Sequence, residues 1–238
     1  MVDGIEFHGR SIYLPLADVL VLSDLHVGRA QASNVSFPLD ERGDLLSRLD
    51  TQLERFSPGT VVIAGDLLHS FDRVPDTVRR TVDAIESRVD ATDASLVVTP
   101  GNHDAMLDAV YDGRRERAYR IAETLIGHGH EEPDESDADD ESVGLWILGH
   151  EHPAIRIEGR KHPCYLYGED VYCGADVLVL PAFSRLARGT VVNRQRSTDC
   201  LSPLVRSVGL GAFRPIVRDE TADETLVFPP LREFRSLL

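Results

Sequence analysis

The stretch Val19-Leu20-Val21-Leu22-Ser23-Asp24-Leu25-His26-Val27-Gly28 decides how the rest of the chain is read. Four apolar residues in a row form a buried strand, and the Asp-x-His after it sets two polar side chains on one side, just past the strand's carboxyl end. Open α/β sheets place ligand sites there. The pattern repeats: residues 61–64 run into Gly65-Asp66, residues 96–99 into Pro100-Gly101-Asn102-His103-Asp104, and residues 145–148 into Gly149-His150-Glu151-His152. Four strand-then-loop units are thus expected to converge on one edge, with glycines allowing tight turns. Leu45, Leu46, Leu49, Leu53 and Phe56 carry helical spacing over residues 41–55, and Val78, Val82, Ile85 and Val89 carry it again. Each helix lies between two of these strands, which is βαβ organisation. After residue 153, the segments 154–157, 165–167, 177–180, 213–217 and 225–228 alternate with turns and predict further strands.

One Asp-x-His after a strand is more often a polar loop than a site. Five blocks change that, because Asp24, His26, Asp66, Asn102, a histidine of Gly127-His128-Gly129-His130, His150 and His152 all bear metal-binding groups. Imidazole mixed with carboxylate suits Mn, Fe, Zn or Co better than Ca or Mg. Seven groups without a cysteine fit two ions sharing a carboxylate rather than a closed structural zinc site.

In order and wording (D-x-H, GD, GNHD, H, GHxH) residues 19 to 153 resemble the calcineurin-like metallophosphoesterases. The resemblance implies an α/β fold, a four-layer α/β/β/α sandwich of two mixed sheets, spanning residues 1–238 as one domain. It implies that Asp24, His26, Asp66 and His152 hold one divalent ion, and Asp66, Asn102, His128 and His150 a second, with Asp66 bridging. It favours His128 over His130, and makes His103 the catalytic imidazole with Asp104 its orienting partner. Many family members read GDxxD where this chain has Gly65-Asp66-Leu67-Leu68-His69, so His69 replaces a supporting carboxylate. The words SDLHVGR, GDLLHS and GHEHP, with Leu180-Pro181-Ala182-Phe183, are further similar to the small archaeal and bacterial phosphoesterases related to the nuclease subunit SbcD, some of them ligase-associated endonucleases.

Water between two cations loses a proton near neutrality and attacks a phosphoester, and the ions, Mn²⁺ foremost, neutralise the phosphate oxygens. His103 can then protonate the departing oxygen. The reading is a phosphodiesterase acting on DNA, RNA or nucleotides. The alternatives are a phosphomonoesterase or cyclic-nucleotide phosphodiesterase, or a non-catalytic metal-bound partner of a DNA-repair helicase or ligase. Arg29 is either a fork for substrate phosphate or a surface arginine. His8 and His162 match nothing in the pattern, and His69 is expected nearest the site.

The chain has 238 residues, 42% of them hydrophobic, enough for a full core. No basic and apolar leader precedes the first strand and no apolar run could span a membrane, which reads as a cytoplasmic enzyme. Cys164, Cys173 and Cys200 form neither a disulfide framework nor a zinc ribbon. The net charge is -15, and Lys161 is the only lysine among 25 basic residues, as in haloarchaeal proteins. At about 1 M salt the Debye length is about 3 Å, so such repulsion is tolerated. Nucleic-acid binding normally needs a basic face. Arg114, Arg115, Arg117 and Arg120 form the only dense basic cluster, read as a phosphate-facing patch or, preferentially, a solvated helix face. Residues 131–142 hold eight acids and read as a solvated or disordered loop.

Overall fold

The computed structural model describes residues 2, 4–32, 40–69, 72–133 and 143–234. Residues 134–142 of the acidic run lie outside them. Two mixed sheets stack face to face. In the first, β1 (Glu6–His8), β2 (Ser11–Leu14), β3 (Val19–Leu22), β4 (Thr60–Ile63), β5 (Ser95–Val98) and β6 (Arg114–Arg115) lie in that order. Its β3–β6 pairings are parallel and its β1–β3 pairings antiparallel. The second is built from β7 (Tyr119–Ile121), β8 (Thr124–Gly127), β9 (Leu145–Leu148), β12 (Tyr165–Tyr172), β13 (Ala175–Val179), β15 (Arg214–Asp219) and β16 (Glu224–Val227). Its order is β16-β15-β12-β13-β9-β8-β7. A small sheet of β10 (Pro153–Ile157), β11 (Arg160–Pro163) and β14 (Thr190–Val191) lies apart from both.

The pleat explains the layers. Leu20, Leu22, Val61 and Ile63 point to the helices, while Val19, Val21, Val62 and Ala64 point to the other sheet. In the second sheet Ile126, Ile147 and Leu178 face inward, and Leu125, Trp146, Leu148, Val177 and Val179 face outward. Strands covered on both faces read as continuous apolar runs, which is why VLVL lacks alternation.

A four-residue α1 (Arg29–Ala32) follows the first ligand loop. The outer face of the first sheet is covered by α2 (Glu41–Phe56) and α3 (Asp76–Asp90), which bury Leu45, Leu46, Leu49 and Leu53 and Val78, Val82, Ile85 and Val89. Asp40 caps α2, accepting from Gly43 N at 2.8 Å. The outer face of the second sheet is covered by the small sheet with α4 (Pro203–Val208) and α5 (Leu231–Phe234): Ile155, Val192, Leu204, Val205 and Leu231 pack there. No helix among the described residues is long and apolar enough to cross a membrane.

Two expectations are corrected. The four strand-then-loop units do not share one sheet edge: β3, β4 and β5 carry three of them, and β9 brings the fourth from the facing sheet. The arginine cluster is not a helix face. Arg114 and Arg115 pair with β5 and Arg120 lies in β7, because Tyr119 alternates inward there and no helical period exists.

Candidate metal centre

The parallel pairing of β3 and β4 continues past their ends through the loops that carry the first candidate ligands. Ala64 N donates to Leu22 O at 2.7 Å, Asp24 N to Gly65 O at 3.0 Å and His26 N to Asp66 O at 2.9 Å, ending in a bridge between Val27 and Leu68. On the other side, Phe183 N donates to Ser23 O and Ser184 N to Asp24 O. Anchored from both sides, the backbone holds conformations it would otherwise avoid. Asp24, His26, Asp66, His150 and His152 have φ of 55°, 48°, 50°, 66° and 47°. A left-handed conformation costs an ordinary L-residue about 1–2 kcal/mol, and such strain concentrates where function requires a particular side-chain direction.

Those directions produce two groups. In one, His152 Nε2 lies 2.9 Å from Asp24 Oδ1 and 3.3 Å from His26 Nε2. In the other, His128 Nε2 lies 3.1 Å from His150 Nδ1, 3.2 Å from Asn102 Oδ1 and 3.4 Å from Asp66 Oδ2. The same Asp66 oxygen is 3.9 Å from His26 Nε2, between the groups. Its partner Oδ1 accepts His103 N at 2.9 Å.

These spacings fit metal ligation. His128 Nδ1 is 3.1 Å from Ala64 O, so in the neutral ring that nitrogen carries the proton and Nε2 presents a lone pair. Facing that lone pair are a carboxylate, an amide oxygen and another imidazole, more acceptors than protons. Donors that share a cation at about 2.1 Å each stand roughly 3 Å apart.

Electrostatics agree. Burial holds His26 down at about 4 against the pull of the Asp24 and Asp66 carboxylates, with His152 and Arg29 adding to it, and burial and His128 hold His150 at about 4. Both are neutral, ligand-ready imidazoles at neutral pH. Burial opposes charge on His128, but its hydrogen bond to Asp66 and the charges of Asp24 and Asp66 outweigh it and raise His128 to about 9, so a cation bound there would displace the Nε2 proton. Burial likewise opposes the charges of Asp24 and Asp66, yet their histidine partners keep both below the ordinary carboxylate range.

Two glycines leave room for this packing. A Cβ on Gly101 would lie on the carboxylate and backbone nitrogen of Asp66, and one on Gly65, at φ 81°, would lie on the His128 imidazole.

His103 stands half-buried at the rim, edge-on to His26 at 5.2 Å and stacked on His69 at 5.5 Å with an interplanar angle of 12°. The Asp104 carboxylate makes no hydrogen bond to the His103 ring. The Asp104 carboxylate accepts Gly101 N at 2.8 Å, Leu68 N at 2.8 Å and Leu67 N at 3.3 Å, while His103 Nδ1 has no hydrogen-bond partner. The side chain turns inward because Asp104 N closes a turn onto Gly101 O, which aims the carboxylate at the foot of both loops. His130 pairs with Glu131 at 3.6 Å, outside the two groups. Arg29 follows the first loop, close enough to depress His26 and His69. His8 hydrogen-bonds Gln52 at 3.1 Å.

Sequence reasoning overlooked Glu151. Wholly buried between His150 and His152, it accepts Leu201 N at 2.8 Å, Ser202 N at 3.0 Å and Gln195 Nε2 at 3.1 Å.

Residues 17–128 match the family model described as calcineurin-like phosphoesterase, which takes in Asp24 through His128 and stops short of the GHEH block. In structure the chain is similar to the nuclease MPE of Pseudomonas putida, with a TM-score of 0.59 and 22% identity over 88% of each chain. It is also similar to Yfce, a phosphoesterase from E. coli, with a TM-score of 0.41 and 12% identity over 90% of this chain and 98% of the other. No curated protein matches the chain. Sheet order, ligand loops and family match agree: over residues 17–128 the chain is similar to the calcineurin-like phosphoesterases, and the likeness marks it as a hydrolase of phosphoric esters.

Proposed function

We propose that this protein is a phosphodiesterase acting on nucleic acid or nucleotides with two divalent ions, Mn²⁺ before Fe, Zn or Co. Asp24, His26, Asp66 and His152 would hold one ion, and Asp66, Asn102, His128 and His150 the other. The observation that carries this is the position of Asp66 Oδ2, 3.4 Å from His128 Nε2 and 3.9 Å from His26 Nε2, with His103 at the rim of the same pocket.

Ions bound there would supply an activated water nucleophile and neutralise phosphate oxygens as charge shifts. The remaining tasks fall to the chain. His103 donates a proton to the departing oxygen from beside His26. Its place is set through its backbone N–H on Asp66 and its stack on His69. Asp104 locks the Gly101 and Leu67 loops together. Arg29 meets a non-bridging phosphate oxygen with its planar fork. Nucleic acid is favoured over other esters by the SDLHVGR, GDLLHS and GHEHP words and by the likeness to a nuclease.

The test is hydrolysis by purified protein in high salt with Mn²⁺. Bis-p-nitrophenyl phosphate turned over far faster than p-nitrophenyl phosphate, with cleavage of single-stranded or duplex DNA, is the expected result. The reverse preference would make it a monoesterase. Bound metal without turnover would make it a non-catalytic partner, as of a helicase or ligase.

A further inference from the structure

Nucleic acid is an awkward substrate for a chain with a net charge of -15, and the described structure contains a feature that answers this. Five arginines, Arg10, Arg48, Arg160, Arg185 and Arg218, line a cleft of about 640 Å³ between the β1–β2 turn and α2 on one side and the small sheet and the β15–β16 turn on the other. Three carboxylates, Glu158, Asp219 and Glu220, also face it, and two more, Asp44 and Asp223, pair with the arginines from beside it. Arg218 is paired with Asp223, and Asp44 is shared by Arg185 at 2.8 Å and Arg48 at 3.8 Å. Arg10 and Arg160 have no carboxylate within ion-pair distance among the described residues. Arg48 is held down at about 10 by burial and then by its neighbours Arg10 and Arg185, as expected where positive charges crowd.

Two of the cleft's arginines grip the segment that anchors the first ligand loop. Arg10 donates to Ala182 O at 3.2 Å and Ser184 O at 2.8 Å, and the Arg48 guanidinium lies over the Phe183 ring at 4.0 Å and donates to Phe183 O. The segment they grip donates in turn to Ser23 O and Asp24 O. One backbone step therefore separates the arginines' anchor from a candidate ligand. Guanidinium forks bind phosphate oxygens in pairs, and a strand whose scissile phosphate lies at the metal centre continues in some direction across the surface.

We infer that this arginine cleft binds a backbone phosphate of the polynucleotide away from the scissile bond, a second subsite beside the metal centre. The inference rests on nucleic acid being the substrate. It gives an acidic enzyme a place to take a polyanion: five arginines are gathered at one cleft.

Arg10 and Arg48 also hold the 182–184 segment, so the test uses the exposed pair, Arg160→Gln with Arg185→Gln. Binding of labelled single-stranded oligo-dT to metal-free protein is followed across a potassium chloride series in which the circular dichroism is constant. The salt dependence of log affinity should become shallower by about 0.7 for each phosphate that is no longer neutralised. The ratio of oligonucleotide to bis-p-nitrophenyl phosphate kcat/KM should fall about tenfold, equivalent to ~1.4 kcal/mol of binding. Arg80→Gln with Arg88→Gln, the same loss of two charges on α3, should alter neither. An equal effect of that control pair, or no binding of oligo-dT by the parent protein, overturns the subsite. In the latter case, hydrolysis of bis-p-nitrophenyl phosphate would leave the phosphodiesterase reading standing. A changed salt slope with neither ester hydrolysed would do the opposite, sustaining the subsite and sinking that reading.

Discussion

The carboxylate of Glu151 accepts the backbone N–H of Ser202, the residue that caps α4, at 3.0 Å. This hydrogen bond braces from behind the loop that presents His150 and His152. Glu151→Ala leaves the buried Ser202 N–H without its acceptor, so the metal-free protein should lose about 2–3 kcal/mol in urea denaturation. Looser imidazoles should also weaken metal affinity by roughly 10–100-fold in a titration. Wild-type affinity in this variant would show that the brace does not reach the ligands.

His103→Asn should separate chemistry from metal binding. His103 lies beside His26 but outside the two ligand groups, so metal content by elemental analysis should match the parent. Turnover of bis-p-nitrophenyl phosphate should drop by about 10²–10⁴-fold, the usual worth of a positioned general acid. An unchanged rate would remove His103 from the mechanism.

Gly101→Ala places a methyl group on the Asp66 carboxylate and backbone nitrogen. The loop must move, and Asp66 with it. Bound metal per chain and activity should fall together, although no candidate ligand has been replaced. A fully loaded, fully active Gly101→Ala protein would mean that the loop yields freely.

Metal-free protein should show a two-sided pH profile of stability. His26 and His150 sit at about 4 in the fold, against about 6.5 for an unperturbed histidine. The unfolded chain takes up those protons first, so stability falls as pH drops from about 6.5 to about 4. Asp24 and Asp66, held below the carboxylate range, extend the loss at lower pH. His128 has the opposite sign: raised to about 9, it stabilises fully below about 6.5, and that contribution disappears as pH rises through about 9. Unfolding midpoints of chelated protein across pH should peak between these limits. Mn²⁺ should flatten the alkaline side, since a cation takes over the role of the His128 proton.

The strands, the long helices and the residues of both ligand groups were legible because each rests on local pattern: apolar runs for β3, β4 and β9, a 3.6-residue period for α2 and α3, and short polar words after the strands. What could not be read depends on distant partners. Glu151 looks like a spacer inside GHEH until Ser202, half a hundred residues on, is seen beside it. Asp104 looks like a natural partner for its neighbour His103, yet its carboxylate is claimed by backbone donors of another loop. The arginines of residues 114–120 lacked a period, and the N-terminal hairpin of β1 and β2 was missed although Phe7, Ile12 and Leu14 alternate inward. The separation of β9 into its own sheet follows from crossovers that no local window contains.

The left-handed backbone at Asp24, His26, Asp66, His150 and His152 also sets fold and activity against one another. Glycine accepts that conformation without the Cβ penalty, so Asp66→Gly or His150→Gly should fold more stably than the matching alanine variant while discarding a candidate ligand. Selection for robustness alone would drift toward glycine at these positions. On the proposed reading, aspartate and histidine stand there because the loops are held for their chemistry, at a standing expense to the fold.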